Sequence, residues 1–341
     1  MEMVAMRKLA VFAVLLVCVA AVPSLLAQPA AVPTVDLTRQ QWNGDAICYS
    51  GFREGQHPDR QIYPSEREVY QDLEILARHW RVLRMYGADP HTATALSVIR
   101  EHKLPLKVQL GIWLTGKPGS EAANEQQLTQ GIALARKYRR EVAAVSVGNE
   151  ALVSWSDHAM TEDAMIAAVE RVRQAAHLPV TVDDDYLYWI KPDAKLVDHV
   201  DYIALHIYPV WGNEDIETAL ATTDKLYRKV HEAHPGKTIV IGEAGWPTYT
   251  VGEKHAPRAG DEPKQKRYFA EISQWARDNH VTVMIFEAFD EPWKGTGTEG
   301  HWGLFSADRK AKPAVLDWYP ELKPDHPTSP AYDAVPRQVA Q

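Results

Sequence analysis

From residue 46 onward the chain alternates between two hydrophobic patterns. Short, near-continuous apolar runs occur at 46–50, 82–86, 106–112, 142–147, 180–182, 202–207, 238–241 and 281–286, which makes eight. Their length and content of Val, Ile and Tyr predict strands buried on both faces, the signature of a parallel sheet covered by helices. The stretches between them carry helix signals. Ser65 with Glu68 makes a capping-box pattern ahead of Val69, Leu73 and Leu76. Asp89-Pro90 reads as a cap followed by a first-turn proline, and Ser120, Thr161 and Asp261 are further cap candidates. Between the fifth and sixth runs there is room only for a turn or two of helix, near Pro192 to Asp198. Eight strand–helix units in about 280 residues match the size of a closed barrel. The fold class expected is α/β, a single-domain (β/α)8 TIM barrel. An open doubly wound sheet is the competing architecture, but no glycine-rich phosphate fingerprint follows the first run.

The ends of the chain follow neither pattern. Arg7 and Lys8 precede an apolar run from Leu9 to Val22 and a small-residue exit near Ala27. This reads as a cleavable signal peptide over 1–27, too short in its apolar run for a spanning helix, and so as export to the periplasm or medium with no stable membrane anchor. Residues 28–41 read as a linker, 42–320 as the barrel, and 321–341 as a Pro-rich, loosely ordered tail. Cleavage would remove Cys18 and leave Cys48 as the single thiol, a buried strand residue with no disulfide partner. The net charge is −8, and no basic stripe is present, so nucleic acid is not an expected partner. A neutral polymer fits better. Oligomeric state is not legible.

In such barrels the chemistry gathers at the C-terminal ends of the strands. The fourth run ends in Gly148-Asn149-Glu150 and the seventh in Gly242-Glu243-Ala244-Gly245-Trp246-Pro247. A lone strand-end carboxylate is as often a rim ion pair as a catalytic group. Glu150 and Glu243 together, facing one another across the mouth, are what acetal hydrolysis needs: one carboxyl protonates the departing oxygen and the other meets the charge at the anomeric carbon. The second strand end adds Arg84, a donor able to keep a carboxylate ionised. Several of the 11 tryptophans sit at strand ends, Trp211 and Trp246 among them, and offer flat faces for sugar rings. Asp183-Asp184-Asp185 lacks metal-ligand spacing and reads as a rim cluster contacting substrate or an arginine. His206 reads as a strand-end hydrogen-bonding residue. No H-E-x-x-H or nucleophile-elbow pattern occurs, so neither a metal nor another cofactor is expected.

Residues 145–150 (VSVGNE) and 241–248 (IGEAGWPT) resemble the two catalytic signatures of glycoside hydrolase family 17, the β-1,3-glucanase family of clan A. Three more segments support the resemblance: 49–56, which resembles the first-strand loop of bacterial members and brings in Tyr49; 202–209; and 286–305. It spans Trp42 to about Tyr319. The resemblance implies a retaining glycosidase acting on β-1,3-glucan, with Glu150 as acid/base and Glu243 as nucleophile. It implies that Asn149 holds the sugar 2-hydroxyl and that Tyr208 hydrogen-bonds the nucleophile. It also implies that Glu291, Lys294 and Glu299 form the polar cluster supporting the acid/base. His206 departs from the plant pattern, where asparagine is usual. Glucanosyl transfer through the same intermediate is one alternative, and a carbohydrate-binding pseudoenzyme is a second, of a different class. Retention requires the two carboxyls to be about 5–5.5 Å apart, and Asn149 must leave regular strand geometry to share a cleft with Glu150.

Overall fold

A computed structural model describes residues 36–37, 45–251 and 259–322. The predicted signal peptide and nearly all of the predicted linker and tail lie outside the described residues. At the two margins Leu37 and Leu322 are buried.

Eight parallel strands close a barrel in sequence order. They are β1 (Ala46–Cys48), β2 (Val82–Arg84), β3 (Lys107–Ile112), β4 (Val142–Asn149), β5 (Val180–Asp185), β6 (Ile203–His206), β7 (Ile239–Ala244) and β8 (Val283–Ile285). Nearly every strand residue is buried, on the barrel interior or under the helices, which is why these runs read as continuous rather than alternating. The helices are α1 (Glu66–Leu76), α2 (Pro90–Glu101), α3 (Glu121–Lys137), α4 (Glu162–Ala176), α5 (Tyr186–Trp189), α6 (Ile216–Ala233) and α7 (Glu262–Asn279).

Four of the five predicted caps form. Ser65 and Glu68 exchange both bonds of a capping box, and Asp89, Thr161 and Asp261 accept from the first turns of α2, α4 and α7. A cap of this kind contributes about 1 kcal/mol. Ser120 precedes α3 without capping it, because its hydroxyl donates back to the Thr115 carbonyl. Between β5 and β6 the short helix lies earlier than expected, in α5, and a single 3-10 turn at Lys195–His199 follows. Among the described residues no α-helix follows β8. Instead the chain returns across the barrel wall in short turns, and Arg309 pairs with the buried Asp72 of α1.

Strand pairing shifts register once low in the barrel, between Val108 and Gln109, and three times toward its C-terminal rim. Register shifts occur between Ser146 and Asn149, between Leu205 and His206, and between Ile241 and Ala244. Such irregularities re-aim side chains, and here they coincide with the functional residues.

Candidate active site

Glu150 follows β4 directly, and the chain turns sharply to present it. Gly148 has φ +83° and Glu150 φ +46°, so both leave the strand region, and Glu150 is held by its backbone N–H on the Asp183 carbonyl at 2.8 Å. A glycine tolerates this conformation at position 148 at no steric cost. The kink puts the side chains of Asn149 and Glu150 on the same side, as the sequence required. Glu243, on β7, is buried, whereas Glu150 remains partly open to solvent.

Three side chains converge on the two carboxylates. The Arg84 guanidinium donates to Glu243 Oε1 and to Asn149 Oδ1, and its Nε lies 3.1 Å from Asp183 Oδ1. The Tyr208 hydroxyl donates to Glu243 Oε2. Each oxygen of Glu243 therefore has its own donor, the environment an ionised nucleophile needs. Because the Asn149 oxygen faces Arg84, its amide NH2 is left to point elsewhere. His206 Nδ1 lies 2.9 Å from Glu150 Oε1 and 3.5 Å from Glu243 Oε2, and the three groups have ligating atoms all within 4.8 Å of one another.

Beneath them is Asp183, the hub of a buried polar chain. It accepts from Gln109 Nε2 at 2.7 Å, and Gln109 Oε1 accepts from Tyr202 at 2.7 Å. Burial pushes the Asp183 carboxyl up, but Arg84, His206 and Ser146 outweigh it and hold it at about 2. For His206 burial disfavours the charge, and the Glu243 carboxylate with the bonds to Asp183 and Glu150 prevails, raising the imidazole to about 10. The same three groups have a spacing a metal could use. Both oxygens of Glu243 already accept from donors, Arg84 and Tyr208, which compete with that use.

Glu291, Lys294 and Glu299 form a second cluster after β8. Lys294 pairs with Glu291 and lies 3.9 Å from Glu287 Oε1. The Glu299 carboxyl is pushed up by burial, relieved by Lys294 and reinforced by the charges of Glu150 and Glu243, which places it within electrostatic reach of the pair. Glu287 was missed by the sequence reading. It is buried, and neither of its oxygens makes a hydrogen bond of good geometry among the described residues. Burial, then the neighbouring Glu291 charge, drives its carboxyl well up.

Three sequence assignments need correction. Tyr49 is 1% exposed and its hydroxyl is spent on Asp72 at 3.2 Å, so it braces β1 against α1 instead of meeting a ligand. Trp246 is likewise 1% exposed, with Nε1 donating to the Ala259 carbonyl and its ring packed on Tyr268 of α7. Asp183 and Asp184 are interior rather than rim residues; Asp184 accepts from the Leu152 N–H, and Asp185 caps α5. A strand-end position does not reveal which way the side chain turns. Trp211, by contrast, is 37% exposed and rests against the buried Trp302. Trp113, Trp155 and Tyr249 are also exposed, and all of these follow the C-terminal ends of strands, around the mouth.

Comparison with known proteins agrees with the barrel fold. Residues 46–303 match the model of the BtgE/BtgC glycoside hydrolase domain. The chain is 27% identical over 284 residues to a glucan 1,3-β-glucosidase of Arthroderma benhamiae, covering 77% of this chain and 88% of that protein. It is 26% identical over 292 residues to the glucan endo-1,3-β-glucosidase btgC of Emericella nidulans, covering 76% of this chain but only 44% of the relative. The chain thus spans well under half the length of the btgC relatives. An endo-laminarinase from Formosa superposes with TM-score 0.73 at 26% identity, over 83% of this chain and 88% of that one. A family 17 β-1,3-glucanosyltransferase from Rhizomucor miehei shares the fold, with TM-score 0.67 at 21% identity over 80% and 96% of the two chains.

Proposed function

This chain belongs to the BtgE/BtgC glycoside hydrolase domain family, and on that premise we propose that it hydrolyses β-1,3-glucan with retention, in the manner of family 17. Glu150 is the acid/base and Glu243 the nucleophile. The observation that carries the reading is that one carboxyl oxygen of Glu150 lies within 4.8 Å of one of Glu243. That is close to the roughly 5–5.5 Å of retaining enzymes and well short of the roughly 6.5–9.5 Å that admits a water between them.

In the first step Glu243 attacks the anomeric carbon while Glu150 gives its proton to the departing glycosidic oxygen. A glycosyl ester forms on Glu243, and Glu150 is left as a carboxylate. In the second step Glu150 takes a proton from water as the water attacks the ester, which restores both groups. Arg84 and Tyr208 hold Glu243 ionised and fixed in orientation. Asn149, with its oxygen facing Arg84, presents its NH2 to the sugar 2-hydroxyl. Trp211 supplies an exposed ring face beside Tyr208 for an adjoining glucosyl unit. The N-terminal pattern supports an exported protein that meets its polymer outside the cytoplasm.

One observation favours a second reading, glucanosyl transfer through the same ester. Trp113 and Trp155, 38% and 55% exposed, follow β3 and β4 on the side of the acid/base. They could seat an acceptor sugar that competes with water. A reducing-sugar assay on linear β-1,3-glucan tests the activity, and products longer than the substrate at high oligosaccharide concentration would identify transfer. Glu243→Ala should abolish turnover, and azide should restore part of it as an α-glycosyl azide. No activity in the wild-type chain would refute the proposal.

A further inference from the structure

His206 stands where the two catalytic steps exchange their charge. Its Nδ1 is 2.9 Å from Glu150 and 3.5 Å from Glu243, while Nε2 lies 3.5 Å from Asp183 Oδ1, a charge contact more than a hydrogen bond. The ring is fully buried. The titratable groups facing it are Glu150 from the end of β4, Asp183, Asp184 and Asp185 from β5, Glu243 from β7, and Arg84 beyond Asp183 on β2. Asp184 and Asp185 accept from backbone N–H groups, and burial pushes them up to about 7 and 6. Their backbone partners hold Asp184 and Asp185 apart from the reacting charge, which moves among five groups: Arg84, His206, Asp183, Glu243 and Glu150.

Resting on the retaining reading, we propose that His206 is a positioning residue, an imidazolium whose Nδ1–H is hydrogen-bonded to Glu150 at 2.9 Å while its charge faces Glu243 at 3.5 Å, so that one cation compensates Glu243 in the first step and Glu150 in the second. Before reaction Arg84 and His206 balance Asp183 and Glu243, and Glu150 is protonated, so the five groups are neutral together. Glycosylation turns Glu243 into an uncharged ester, and the proton of Glu150 leaves with the sugar alcohol. The negative charge has moved to Glu150, and the group stays neutral without His206 gaining or losing a proton. In a buried site a fixed compensating charge is worth far more than in water. A permanently charged donor within reach of both carboxylates lets the charge move without reorganising the surroundings.

His206→Asn is the test, because the Asn amide keeps a donor near the Nδ1 position while it removes the charge and, with the ring, the Nε2 contact to Asp183. A nearby opposite charge biases carboxylate ionisation by about 1–3 pH units, so the acid limb of kcat/KM on β-1,3-glucan should move up by roughly one unit or more. Deglycosylation should slow at acidic pH. With a dinitrophenyl β-glycoside the variant should then accumulate a glycosyl-enzyme, visible as a mass increase of the sugar. Azide, which needs no general base, should relieve it. Nitrogen-15 NMR of the wild-type protein provides a variant-free check: both His206 nitrogens should remain protonated at pH 6 to 8, before and after trapping with a 2-fluoro glycoside. An active wild type whose acid limb is unmoved in His206→Asn, or a neutral His206 in the wild type, would overturn the proposal alone. A wild type inactive on both glucan and aryl glycoside would overturn the function beneath it as well.

Discussion

Replacing Asp183 by Asn tests whether the buried polar chain under the site is held together by charge. Asp183 is fully buried and faces Arg84, His206 and Gln109. The substitution keeps the shape and removes one negative charge from beneath two cations. Breaking a buried pair in this way costs about 3–5 kcal/mol, which in a domain of this size lowers Tm by roughly 6–20 °C. The ionisation of Asp183 gives a second estimate. Its carboxyl titrates near 3.8 in the unfolded chain and at about 2 in the fold, a depression that corresponds to about 2–3 kcal/mol at neutral pH. The sign is that of a lowered carboxyl: the stabilisation is complete above the unfolded value and is lost as pH falls through the folded one. The difference between wild type and Asp183→Asn should therefore be full at pH 6 and about 1 kcal/mol smaller by pH 3. Thermal melts followed by far-UV circular dichroism at both pH values measure it. A difference below about 1 kcal/mol at pH 6, or one that widens on acidification, would refute the reasoning.

Glu150→Gln should cut activity on β-1,3-glucan by about 10²–10⁴ while largely sparing glycosylation by a dinitrophenyl glycoside, whose leaving group needs no proton; equal losses on both, in parallel kinetics, would remove the acid role. Trp211→Ala should raise KM for glucan by up to about tenfold with little change in Tm, whereas Trp246→Ala should cost about 3–5 kcal/mol of stability. Steady-state kinetics and melts of the pair separate the exposed ring from the packed one. Gly242→Ala should destabilise by about 1–3 kcal/mol, because a Cβ there would lie 2.2 Å from Asp183 Oδ1, and a neutral melt would show that the seat of Asp183 is loose.

The barrel was legible because its strands are buried on both faces and its caps are local: Ser65 with Glu68, and Asp89 with Pro90, need only their own neighbours to act. Glu150 and Glu243 were legible for a related reason, since each ends a strand beside glycines that open the chain. What the sequence concealed depends on direction and on distant partners. Tyr49 and Trp246 occupy strand ends as plausible as that of Trp211, yet Asp72 and the packing against α7 turn them into the core. Asp183 looked like part of an acidic rim cluster. Its role is set by Arg84, 99 positions earlier in the chain, and by His206 on the next strand. Glu287 gave no signal, because nothing in its neighbours marks a buried carboxyl whose ion-pair partner, Lys294, stays 3.9 Å away.

The stereochemistry of the first-formed product tests the central claim most directly. Proton NMR during the first minutes of β-1,3-glucan hydrolysis, before mutarotation, resolves the two anomers of the new reducing end. With one carboxyl oxygen of Glu150 within 4.8 Å of one of Glu243, the account predicts that the β-anomer appears first and the α-anomer only as it equilibrates. An α-anomer released first would contradict the glycosyl-enzyme and, with it, the roles given to both glutamates.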